Sequence, residues 1–144
     1  MKWREIKGGE QRTFAVIFDK GDEAVEGLTA MARENKLSAS QVSGIGAFSD
    51  VVLGYFDWQK KDYRRIPVRE QVEVVALLGD IALDDDDKPK LHLHVVVAKS
   101  DGTALGGHLL EAHVRPTLEV VLTESPAHLC RRPDAESGLA LIKL

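Results

Sequence analysis

One segment alternates histidine with aliphatic residues, and this alternation constrains the fold more than any other feature of the chain. Residues 91–97 read LHLHVVV, so His92 and His94 share one side of an extended backbone while the aliphatic residues at odd positions share the other. Successive side chains of a β-strand point to opposite faces in this way. Because the aliphatic side is typical of a buried sheet face, we expect both imidazoles to point away from the core.

A third histidine follows after a turn and a pair of glycines. The turn is predicted at Ser100–Gly102, and Gly106–Gly107 immediately precedes His108. Glycines adopt backbone conformations that other residues disfavour, so we expect His108 to lie on a flexible corner. Residues 118–122 predict a second strand that runs beside the first. The three imidazoles, which fall within seventeen residues, are therefore expected to be neighbours in space.

The rest of the chain predicts one early helix followed by many strands. A buried strand is expected at Thr13–Phe18, and a helix with an apolar stripe is expected to begin at the N-cap Asp22 and to end near Asn35. Further strands are predicted at 41–48, 51–57, 63–67, 71–83 (interrupted at Gly79) and 139–142. This order favours an α+β fold, in which a mostly antiparallel sheet packs against one main helix.

Length, charge and cysteine content exclude several classes of protein. The 144 residues are expected to form a single domain, 1–144, with residues 1–11 as a polar lead-in. A net charge of −4 without clustered lysine and arginine gives no electrostatic footprint for nucleic acid or for an anionic membrane. The single cysteine, Cys130, cannot form an internal disulfide, and the N-terminus has no apolar signal core. We therefore expect a cytoplasmic protein.

The histidines have two interpretations. Three neutral imidazoles suit zinc and leave a fourth coordination position for water or a substrate atom, which makes His92, His94 and His108 candidate ligands. Alternatively, they form hydrogen bonds within a subunit interface. His113 could be a fourth ligand or an interface residue, and we favour the interface; His128 lies on a polar segment and is expected to be exposed.

No residue is assigned a catalytic role from the sequence. Glu73 and Glu119 lie in apolar strand segments, where a carboxylate usually faces solvent. Either could instead orient a ligating imidazole or act as a general base. The chain has no phosphate-binding loop, dinucleotide fingerprint, serine elbow or zinc-ribbon spacing.

Four motifs in sequence order resemble those of a known family. They are GIGAFSDV at 44–51, EVVALLG at 73–79, HLH at 92–94 and GGHL at 106–109. Together they are similar to the PPC domain, a domain of unknown function that plants and prokaryotes share. The resemblance covers about Thr13 to Leu144 and implies a mixed sheet, a single long helix and assembly as a homotrimer. In some prokaryotic members, the histidines that match His92, His94 and His108 are similar to a zinc-binding set.

The chain departs from the plant members of this family in two respects. It has no AT-hook, since no Arg-Gly-Arg core is present, and residues 70–75 keep only Glu73 of the plant partner-recruiting motif. We therefore expect direct DNA binding to be weak or absent. The resemblance favours a stand-alone trimeric binding or regulatory module with a zinc site and possible protein partners. The alternatives are a small metal-dependent enzyme with a three-histidine zinc centre, or a DNA-associated regulator by analogy with the family.

Overall fold

The computed structural model describes residues 1–7 and 9–143, which form nine β-strands and one short α-helix. The helix is α1 (Ala24–Glu34). The strands are β1 (Lys2–Lys7), β2 (Arg12–Phe18), β3 (Ala39–Asp57), β4 (Asp62–Val68), β5 (Val72–Leu83), β6 (Pro89–Ala98), β7 (Ala104–Glu124), β8 (Cys130–Pro133) and β9 (Ala140–Lys143). The predicted mostly antiparallel sheet with one helix is thus confirmed in outline, and the polar lead-in contains strand β1.

Helix α1 packs its apolar stripe against β6 and β7. It is 11 residues long, shorter than the resemblance implies, and its C-cap is Asn35, near which the end of the helix was predicted. The predicted N-cap was wrong by one residue, because the Glu23 carboxylate accepts the Glu26 amide while Asp22 pairs with the N-terminal amine. The helix residues that are buried are Ala24, Leu28, Met31 and Ala32.

Four strands close into a ring. Strand β3 pairs with β5 and β7, and β6 pairs with the same two strands, all antiparallel. Strands β1 and β2 extend the sheet beyond β7, and β4 extends it beyond β3. A single parallel pairing, between Leu83 of β5 and Cys130 of β8, attaches the C-terminal β8–β9 hairpin and makes the sheet mixed. The inner face of the ring carries the core, including Phe48, Leu77 and Leu118, each fully buried.

Glycines allow two of these strands to run longer than predicted. The separate strands expected at 41–48 and 51–57 are one strand, β3, which bends through a register shift at Gly44/Gly46. Gly46 has a φ of 153°, and a Cβ there would lie 2.3 Å from the Thr117 carbonyl oxygen. Gly79 does not interrupt β5; a Cβ there would lie 2.1 Å from the His92 carbonyl oxygen, so β5 and β6 approach closely only with glycine.

Among the described helices, none is long and apolar enough to span a bilayer.

Candidate metal centre

Strands β6 and β7 bring three histidines together on the outer face of the ring. His94 lies directly opposite His108 in the antiparallel register, and His92 is two residues further along the same face of β6. The alternation predicted for 91–97 is confirmed, since Leu93, Val95 and Val97 are buried. Directly opposed residues bring their Cβ atoms to within roughly 5 Å, so pairing alone makes these imidazoles neighbours.

The prediction of a flexible corner at His108 was wrong, because His108 lies inside β7. Gly107 pairs with Val95 and passes over β3, where a Cβ would lie 2.7 Å from the Gly54 carbonyl oxygen. This glycine is therefore needed for the close approach of two strands rather than for a turn. The rigid strand fixes the His108 backbone more firmly than a corner would.

The geometry of the three side chains fits a single metal ion. One ring nitrogen from each histidine lies within 4.8 Å of the others, and the Nε2 atoms of His92 and His94 are 3.1 Å apart. Zinc–nitrogen bonds of roughly 2.0–2.1 Å at tetrahedral angles would separate the nitrogens by about 3.3 Å. The ring centroids are 5.0 to 5.4 Å apart, so small side-chain rotations suffice to place all three nitrogens at bonding distance from one ion.

The pKa of His108 is far below the ordinary histidine value. Burial, together with the positive charges of His92, His94 and Arg131, lowers its pKa to about 4. Burial also lowers the pKa of His92, with a further contribution from Arg131. The His108 Nδ1 atom is buried and has no hydrogen-bond partner among the described residues. A neutral imidazole with an unsatisfied nitrogen is the form that binds a metal.

A carboxylate–arginine pair borders His92. Asp80 lies opposite His92 across the β5–β6 register, and its Oδ2 atom is 3.9 Å from the His92 Nδ1 atom. The other Asp80 oxygen accepts a hydrogen bond from the guanidinium of Arg131, whose side chain is 6% exposed. The candidates named from the sequence, Glu73 and Glu119, are instead exposed and lie opposite Ala98 and Ile45.

Tyr63 and a small cavity complete the surroundings of the cluster. The Tyr63 ring, from β4, lies on the His108 ring with centroids 4.7 Å apart, and burial raises the pKa of its hydroxyl. A cavity of about 160 Å³ opens beside the cluster, at the contact between β4, β6 and the β8–β9 hairpin. It is lined by Tyr63, Lys90, Leu91, His92, His108, Arg131, Leu139, Ala140 and Leu141.

The two remaining histidines lie outside the cluster. His113 is exposed, and its Nδ1 atom is 2.8 Å from Asp50, which raises the His113 pKa by a hydrogen bond to the carboxylate. His128 is exposed as predicted and contacts the Ser38 hydroxyl at 2.8 Å. Sequence reasoning missed Asp80, Arg131 and Tyr63. Of these three, only Asp80 could have been found by strand pairing, because it is the cross-strand partner of His92, and this required the β5–β6 register.

The chain is similar to one domain family and to several solved structures. The sequence model of the Plants and Prokaryotes Conserved (PCC) domain matches residues 5–126. A plant- and prokaryote-conserved protein from Pyrococcus horikoshii is 30% identical, with a TM-score of 0.86 over 92% of each chain. A metal-containing protein from Archaeoglobus fulgidus is 31% identical, with a TM-score of 0.84 over 100% of this chain and 99% of that one.

Two further similarities differ in what they cover. A protein from Bacteroides thetaiotaomicron, provisionally described as DNA-binding, is 29% identical, with a TM-score of 0.87 over 98% of this chain and 96% of that one. The bifunctional protein GlmU of Synechococcus sp. (strain JA-3-3Ab) is 32% identical over 133 residues, which are 90% of this chain and 20% of that protein. The chain thus spans about one fifth of the length of the curated relatives that it matches.

Proposed function

The chain belongs to the Plants and Prokaryotes Conserved domain family, and from this premise we propose that it is a homotrimeric, single-domain binding module whose His92, His94 and His108 hold one zinc ion. The observation that carries the proposal is the convergence of three imidazole nitrogens within 4.8 Å of one another. The metal-containing protein from Archaeoglobus fulgidus supports the same assignment through its likeness to the whole of this chain.

In such a site, some residues of the chain would bind the ion and others would orient the ligands. His92 and His94 present their Nε2 atoms from one strand face, and His108 presents a ring nitrogen from the paired strand. Asp80 borders the His92 Nδ1 atom and so favours one orientation of that ring, while Tyr63 packs against the His108 ring. When bound, zinc would supply a Lewis-acidic centre with a coordination position left open by its three protein ligands.

An apolar face that is exposed on a single chain supports the proposal of a trimer. Six large aliphatic side chains on the outer face of the sheet are 39–60% exposed: Ile17, Ile45, Val75, Leu78, Val96 and Val121. Glu119 lies between Ile17 and Ile45 on this face, directly opposite both in the strand register. Exposed apolar surface of this size marks an interaction site in a soluble protein. Together with the trimer implied by the family resemblance, this apolar face favours a second and third copy of the same chain as its occupants.

The cavity beside the histidines favours a second candidate function, that of a metal-dependent enzyme. Such an enzyme needs a general base near the open coordination position. Asp80 is a carboxylate that borders the cluster at His92, and Arg131 already binds one of its oxygens. This engagement of Asp80 supports a binding module over an enzyme.

A calorimetric titration with zinc on the purified metal-free chain tests the metal assignment. We expect one zinc ion per chain for the parent, and a loss of affinity of more than about 100-fold for each of His92→Ala, His94→Ala and His108→Ala, because ligand removal exceeds the loss seen for outer partners. His128→Ala is the matched control, since His128 is an exposed histidine outside the cluster. If all three cluster variants bind zinc as the parent does, the histidines have another role and the proposal is wrong.

A further inference from the structure

Residues from two parts of the chain line the cavity beside the histidine cluster. The histidines and Tyr63 come from the part of the chain that the family match covers, which ends at residue 126. Arg131, Leu139, Ala140 and Leu141 come from the β8–β9 hairpin beyond it. The hairpin is fixed there by Arg131, whose guanidinium binds Asp80 and the Ala140 carbonyl oxygen at 3.5 Å. The cavity is therefore lined partly by a segment that lies beyond the residues of the family match.

The charges around the cavity favour an anion. Its charged lining residues, Lys90 and Arg131, are cations, and no carboxylate lines it among the described residues. Asp80 offsets one of these two positive charges through its pair with Arg131. A divalent ion on three neutral imidazoles would keep its whole charge, because none of those ligands is a carboxylate. The lining therefore presents two cations and no carboxylate among the described residues, although Asp84 beside Lys90 and Asp80 beside Arg131 offset part of their charge. A bound divalent ion would add the positive charge that attracts an anion.

The size and the apolar wall restrict which anion fits. At roughly 30 Å³ per water molecule in the liquid, a cavity of about 160 Å³ has room for about five water-sized groups. Three of its lining residues, Leu139, Ala140 and Leu141, offer aliphatic surface on the hairpin side. Binding sites of this kind combine apolar walls with a few polar groups that fix the orientation of the ligand.

Resting on the metal site proposed above, we infer that this cavity binds a short-chain monocarboxylate. Its carboxylate group lies toward the histidine cluster, Lys90 and Arg131, and its alkyl chain lies against Leu139, Ala140 and Leu141. A four-carbon acid such as butyrate, with six non-hydrogen atoms, matches the space.

Calorimetric titration of the zinc-loaded full chain with sodium butyrate tests the inference. We expect saturable binding, with an affinity at least about tenfold higher than for 1-butanol or for butyrate on the zinc-stripped chain, since the charge is the main attraction. Ala140→Leu should weaken butyrate by about tenfold and acetate much less, because it fills the alkyl end of the cavity. Lys90→Gln should weaken butyrate by about two- to fivefold, as for an exposed charge pair.

Matched controls lie on the same two hairpins. Ala135→Leu changes an exposed alanine of the β8–β9 connection, and Lys88→Gln changes an exposed lysine that pairs with Asp86; neither residue lines the cavity. Both variants should bind butyrate as the parent does.

The outcomes separate this inference from the metal proposal. If the parent binds no zinc, the proposed function fails and this inference fails with it. If the parent binds zinc but not butyrate, or if Ala140→Leu and Lys90→Gln bind butyrate as tightly as the parent, the carboxylate site alone is overturned. Equal binding of butyrate and 1-butanol would likewise overturn it, since the cavity would then recognise only the alkyl chain.

Discussion

The histidine cluster and the exposed apolar face lie side by side on the outside of the same ring of strands, yet they are completed in different ways. Leu78, part of the apolar face, is directly opposite His94 across the β5–β6 register. The cluster is assembled within one chain, from β6 and β7, and is walled by β4 and the C-terminal hairpin. The apolar face has no cover within the described part of the chain, and Ile45 there is 60% exposed.

This difference shows that a polar site and an apolar face need different kinds of partner to be stable. Imidazole nitrogens need a few partners at defined distances, which a pair of neighbouring strands supplies. Aliphatic surface gains about 25 cal/mol for each Å² removed from water, so its stabilisation grows with the area covered and needs a whole partner surface. We therefore expect the two regions to respond independently to substitution.

The largest expected effect is on assembly. Ile45→Glu places a second carboxylate on the apolar face, directly opposite Glu119, where burial of two unpaired like charges opposes association. We expect light scattering to give a trimer mass for the parent and a monomer mass for this variant at micromolar concentration. Tyr55→Glu is the control, because Tyr55 is on the same strand with the same 60% exposure but outside the apolar face. A parent that is already monomeric would remove the basis for the trimer.

The next largest expected effect is the increase in the free energy of unfolding when zinc is added. This increase should depend on the histidine cluster and not on the apolar face. At a zinc concentration about 100 times the dissociation constant, the parent should gain about 2.7 kcal/mol in its free energy of unfolding. His94→Ala should lose this gain, whereas Ile45→Glu should keep it. Urea unfolding with and without zinc measures the difference. A gain that disappears in Ile45→Glu would mean that the metal site needs the neighbouring subunit, and the two regions would not be independent.

A smaller effect is the pH dependence of the metal-free chain. The folded chain keeps His108 neutral down to about pH 4, whereas the unfolded chain protonates it near the ordinary histidine pKa of 6.5. The unfolded state therefore binds more protons between these values, and stability falls as the pH is lowered through that range. His108→Gln should flatten this fall in urea unfolding. Zinc affinity should fall mainly toward pH 4 and below, because the lowered pKa values of His108 and His92 keep these ligands neutral at higher pH.

His113 provides a control with the opposite sign. Its pKa is raised by the Asp50 carboxylate, so its contribution to stability is present below pH 6.5 and is lost as the pH rises through its own raised pKa. His113→Gln should therefore leave the fall between pH 6.5 and pH 4 in place. If His108→Gln and His113→Gln change the profile alike, burial in the cluster is not its cause.

The smallest expected effect is on DNA. Neither region presents a basic stripe, and the net charge of the chain is −4, so few groups can neutralise phosphates. Fluorescence anisotropy with a labelled duplex should show weak binding or none near physiological salt. Submicromolar affinity that falls steeply with added salt would contradict this expectation and would favour the role described for the Bacteroides thetaiotaomicron protein.

Much of the fold could be predicted because its signals are local. The alternation in 91–97 decided which side chains of β6 are buried, and the four motifs were enough to identify the family that the profile match confirms. The helix was placed to within a residue at its C-terminal end by its apolar stripe and by Asn35. These features depend on periods of two and 3.6 residues, which are properties of the sequence itself.

The surroundings of the histidines were decided by the tertiary structure alone. Asp80 and Arg131 are 51 residues apart and meet because β8 pairs with the end of β5, and Tyr63 reaches His108 because β4 and β7 flank the same strand. His108 was predicted on a corner because Gly106–Gly107 signals flexibility, whereas the contact with Gly54 shows that β3 requires the glycine. By itself the sequence determined which imidazoles share a strand face. The register between distant strands, which no local period encodes, decided their partners.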